Sequence, residues 1–154
     1  MDKSKSIFDN IGALIPGYRG YAEREGRRHC DRIVRESVAQ ALAACEKAVH
    51  IRIVSGVKQQ HKETLYGWEE TRKRLNTLST NIKYAAYGAS SFFSDSQIRK
   101  EELEMIIVDD FDLLEEAQTL RRNINKMNKA DIDSALTDLE DRLERRNALI
   151  REHK

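Results

Sequence analysis

Apolar residues recur along this chain at steps of three and four, the period of one helix face. The clearest run is Val34, Val38, Leu42, Cys45, Val49 and Ile53, spaced 4-4-3-4-4, which is the seam of a bundle or coiled coil. It predicts a long first helix from near Ala22 to about Val54, with Gly56 as its C-terminal cap. Ala39, Ala41, Ala43, Ala44 and Ala48 flank the seam and let a neighbouring helix approach closely. A second helix carries Leu65, Trp68, Arg72, Leu75, Leu78, Ile82 and Ala86 and stops at Gly88. Arg72 is its polar member and is expected to snorkel. A third helix, capped at Ser94 or Asp95, runs to about Met127 through Leu103, Ile106, Ile107, Leu113, Leu114, Ala117, Leu120 and Ile124. A fourth, from about Ala130 to Glu152, carries Ile132, Leu136, Leu139, Leu143 and Ile150. Ahead of all four, Ile7, Phe8, Ile11, Leu14 and Ile15 form one face of a short helix that ends at the Pro16-Gly17 turn. The pattern predicts an all-α protein, an antiparallel four-helix bundle with a short N-terminal amphipathic helix. It reads as a single domain over 1–154, with 1–15 as an arm and 16–154 as the bundle.

Composition supports this reading. One proline and seven glycines in 154 residues leave few turns, and 34% charged against 40% apolar residues suits solvated helices with buried stripes. A helix from Ala22 to Val54 would span ~50 Å, longer than a compact bundle of this size requires. Either part of it projects or supports a dimer, or it breaks near His50–Ser55, where the β-branched run Ile51, Ile53 and Val54 weakens helix. Cys30 and Cys45 lie ~22 Å apart on one helix, too far for a disulfide within it. Two thiols, no leader-like N-terminus and no apolar run of the ~18 residues a membrane span needs point to a reducing cytoplasm.

The net charge of +1 creates no global field toward nucleic acid or membrane, but charge is unevenly placed. Residues 19–36 hold six arginines against four acids, and Arg24, Arg28, Arg32 and Arg35 share one helical face. Beside Tyr18 and Tyr21, the set Arg24, Arg27, Arg28 and Arg32 is a candidate binding surface. Guanidinium forks grip carboxylate or phosphate, and tyrosine adds stacking. Residues 95–116, by contrast, hold nine acids against Arg99 and Lys100. Pairing of the basic first helix with the acidic third is therefore the first expectation, ahead of contact with another protein and then with nucleic acid. Asp110 sharpens it. A carboxylate among isoleucines and leucines must be paired, protonated or left at the stripe's edge, and the expectation is an ion pair with Arg28 or Arg32.

Catalytic and metal chemistry find little support. None of His29, His50, His61 and His153 has a glutamate three residues before it, as a di-metal bundle needs. Two isolated cysteines make no zinc site. His29 and Cys30 are adjacent, so on a helix they diverge by about 100° and cannot act together. No nucleophile elbow, P-loop or dinucleotide fingerprint occurs. The expectation is a protein without metal, cofactor or active site.

Two motifs resemble those of a family of small bacterial all-helical proteins with no assigned reaction. PGYxGYxxRExRRxxDxxxR matches at Pro16, Gly17, Tyr18, Gly20, Tyr21, Arg24, Glu25, Arg27, Arg28, Asp31 and Arg35. YAxYGxxxFF matches at Tyr84, Ala85, Tyr87, Gly88, Phe92 and Phe93. The resemblance implies a bacterial, cytosolic, all-helical protein and brings no activity. In an antiparallel bundle the two motifs would meet at one end. Tyr18, Tyr21, Tyr84, Tyr87, Phe92 and Phe93 then either seal the bundle or border a groove edged by Arg24 and Arg28.

These readings lead to a non-enzymatic interaction or adaptor module that works through the arginine and tyrosine surface of residues 16–35. Its partner is another protein or a second copy of itself. RNA or single-stranded DNA is the alternative, and a peripheral membrane contact through Ile7–Ile15 a second.

Overall fold

The computed structural model describes residues 27–58, 62–84 and 100–152. They form α1 (Arg27–Lys58), α2 (Lys62–Lys83), α3 (Lys100–Asn123) and α4 (Lys129–Glu152), with a 3-10 turn at Ile124–Lys126 between the last two. No strand occurs among the described residues, and the protein is all-α. The expected N-terminal arm, the start of the first helix at Ala22, the Ser94/Asp95 cap and the glycine stop at Gly88 lie outside the described residues.

One hydrophobic core joins the four helices. Val34, Val38, Leu42, Cys45 and Val49 of α1 are at most 1% exposed, with Ile53 packed at their edge. Leu75, Leu78 and Ile82 of α2, Leu113, Leu114, Ala117 and Leu120 of α3, and Ile132, Leu136, Leu139 and Leu143 of α4 complete it. Each large side chain in this set contributes about 1.5–3 kcal/mol by leaving water. The α2 register needs one correction. Thr71, 1% exposed, takes the buried turn between Trp68 and Leu75, while Arg72 stands at the edge, held by Glu46 and Glu69.

α1 continues through Gly56 to Lys58, so the expected cap at Gly56 and the alternative break near His50–Ser55 both fail. Gly56 serves close approach instead, since a Cβ there would lie 2.7 Å from Leu65 Cδ2 on α2. The β-branched turns are held from the side. Arg52 donates to the carbonyls of Asn125 and Met127, each at 2.7 Å, and its guanidinium stacks 4.9 Å from the Trp68 ring. At its 32 residues α1 spans ~48 Å.

α1 packs chiefly on α2 and α3, and α4 on α3 and α2. Glu46 meets Arg72, Ala39 meets Ser79 and Arg35 meets Lys83, so numbers fall along α2 as they rise along α1. Asp110 meets Arg146 and Glu116 meets Arg142, the same sense between α3 and α4. Between α2 and α4 the numbers rise together, Thr71 with Asp133 and Arg74 with Thr137. α4 begins where Met127 turns extended and the Asn128 side chain accepts the Asp131 N–H at 2.8 Å, an N-cap.

Candidate functional site

Of the six candidate binding residues, Tyr18, Tyr21 and Arg24 lie outside the described residues. Arg27 and Arg28 open α1, but their side chains lie outside them too. Arg32 is described and points to solvent: its side chain is 62% exposed and sits 3.9 Å from Glu36, one turn on. A pair that open to water contributes little. Arg35, three residues further, faces the other way. It is 7% exposed and donates to the Lys83 carbonyl at 2.9 Å, satisfying an end group of α2. The face that sequence spacing drew through Arg32 and Arg35 is thus divided into an outward and an inward member. The Lys83 contact sets Arg35 of α1 beside the last turn of α2, and the expected meeting of the two aromatic motifs lies outside the described residues.

The ion pair expected at Asp110 has a different partner. Asp110, 0% exposed, accepts from Nε of Arg146, 2% exposed, at 2.9 Å. Arg32 is out at the surface with Glu36 and does not reach it, and the Arg28 side chain lies outside the described residues. Both α1 and α4 pack on α3, and Asp110 meets α4, where Arg146 supplies the cation. The same geometry takes Asp112 and Glu116, which hold Arg142 at 3.3 and 2.7 Å. Asp110, Asp112 and Glu116, three of the described acids of residues 95–116, are therefore paired with arginines of α4. Burial raises the Asp109 carboxyl above its usual range, the charge of Asp112 adds to this, and Arg145, Arg142 and Arg146 oppose it. Alongside these pairs runs an open groove of about 600 Å³, lined by Glu116, Asp138, Asp141, Arg142, Glu144 and Arg145.

Sequence reasoning passed over Arg146, although the signal was present. It follows Leu139 and Leu143 at i+7 and i+3, inside the apolar register of α4. Asp110 and Arg146 are each a charge on a stripe, and they face each other. Thr71 and Asp133 form a second such match, the hydroxyl donating to the carboxylate at 2.7 Å across the α2–α4 contact. Lys129 also holds Asp133, and its stem lies where Gly67 has no side chain. Burial of Asp133 works against ionisation, but hydrogen bonds from Lys129 and Thr71, with the charges of Lys129 and Arg74, bring its carboxyl below the usual range.

These groups pack and pair with one another across the helix contacts. Burial pushes the Cys45 thiol up to about 12, with Arg121 opposing, so it is a poor nucleophile. Among the described residues no group of three or more His, Cys, Asp or Glu side chains could hold a metal ion. Also among them, no helix is long and apolar enough to cross a membrane. Comparisons with protein-family models, curated proteins and solved structures find no match to this chain.

Proposed function

We propose that the chain is a non-enzymatic adaptor, an antiparallel four-helix bundle of two helical hairpins that binds another protein through the arginine and tyrosine surface of residues 16–35. One observation carries this reading. Three of the acids expected to face the α1 arginines, Asp110, Asp112 and Glu116, pair with Arg146 and Arg142 of α4. Arg32 correspondingly stands 62% exposed beside a single local glutamate. Exposed arginine next to tyrosine is the composition of a binding hot spot. A reducing, bacterial cytosolic setting accompanies the proposal, supported by the free thiol of Cys45 and by the resemblance of the two motifs.

The test is capture from bacterial lysate on wild-type protein and on an Arg24→Ala/Arg27→Ala/Arg28→Ala/Arg32→Ala variant, with and without nuclease. A protein that survives nuclease and is lost in the variant supports the adaptor reading. Nucleic acid lost on nuclease treatment transfers the surface to the RNA or single-stranded DNA alternative, whose binding must also fall steeply with salt. Identical capture by both baits refutes a working role for these arginines.

A further inference from the structure

We draw no further inference here: the strongest candidate, the open groove along α3 and α4 lined by Glu116, Asp138, Asp141, Arg142, Glu144 and Arg145, is an acidic cluster in which Arg142 already holds Glu116, and nothing in the structure points to a ligand for it.

Discussion

Arg146→Met should be among the most damaging single changes available in this protein. The substitution keeps most of the side-chain length and removes the charge facing Asp110, which is 0% exposed and 2.9 Å from Arg146 Nε. Removing one member of a buried ion pair takes away the other's counter-charge in a medium that solvates charge poorly, at about 3–5 kcal/mol. A domain of this kind is stable by about 5–15 kcal/mol in total, so the loss is a large fraction. With about 2–4 °C per kcal/mol for a chain of this size, the midpoint should fall by about 6–20 °C. Urea and thermal melts followed by far-ultraviolet circular dichroism measure both quantities. Asp110→Leu should be similarly costly. The double variant Asp110→Leu/Arg146→Met should cost less than the sum of the singles by about 1–3 kcal/mol, because neither charge then remains without the other. Singles within about 1 kcal/mol of wild type, or a double that is simply additive, would refute the view that these two charges depend on each other.

Four smaller tests use other parts of the structure. In a Cys30→Ser background, Cys45 should resist alkylation at mildly alkaline pH and react only at the rate of global opening, since burial holds its thiol at about 12. Asp109 and Asp133 should respond to pH with opposite signs. The folded Asp133 carboxyl lies below its unfolded value of 3.8, so its contribution is present above that pH and is lost as pH falls through the folded value. Asp109 is raised, so its ionisation opposes folding; Asp109→Asn should stabilise at neutral pH, with the gain fading below 3.8 in chemical-denaturation series. Gly67→Ala should leave the melting temperature within about 2 °C of wild type, because the helix gain of about 0.5 kcal/mol is offset by shifting the Lys129 stem, 2.8 Å from the new Cβ and tied to Asp133. Arg52→Met should cost about 1–3 kcal/mol through the lost bonds to the Asn125 and Met127 carbonyls. Faster amide exchange should then appear at residues 124–128 before it appears in the core.

Periodicity identified the helices because each had to bury one stripe, and Val34 to Val49, Leu75 to Ile82 and Ile132 to Leu143 lie where their spacing put them. Two kinds of detail were harder to read. Gly56 looks like a cap to a local rule, yet it accommodates Leu65 of another helix, a fact of packing that no local window contains. The partner of Asp110 depended on which of the two helices beside α3, α1 or α4, that side chain meets, and charge totals carry no such information. Arg146 was legible as an irregularity in its own stripe. Matching the two irregular stripes, basic on α4 and acidic on α3, would have found the pair.

The order of packing has a consequence for how the chain is assembled. α1 with α2 and α3 with α4 are each neighbours in sequence and in space, while the contacts joining the two hairpins run from α1 to α3 and from α2 to α4. Local pairing can form first in each half, and association of the halves is then a docking of two ready-made faces. A chain divided between Tyr84 and Lys100 keeps the α1–α2 and the α3–α4 contacts each within one half. Its halves should behave as complementary fragments that recover the fold on mixing, and the same property makes exchange of a hairpin between two molecules the natural route to misassembly.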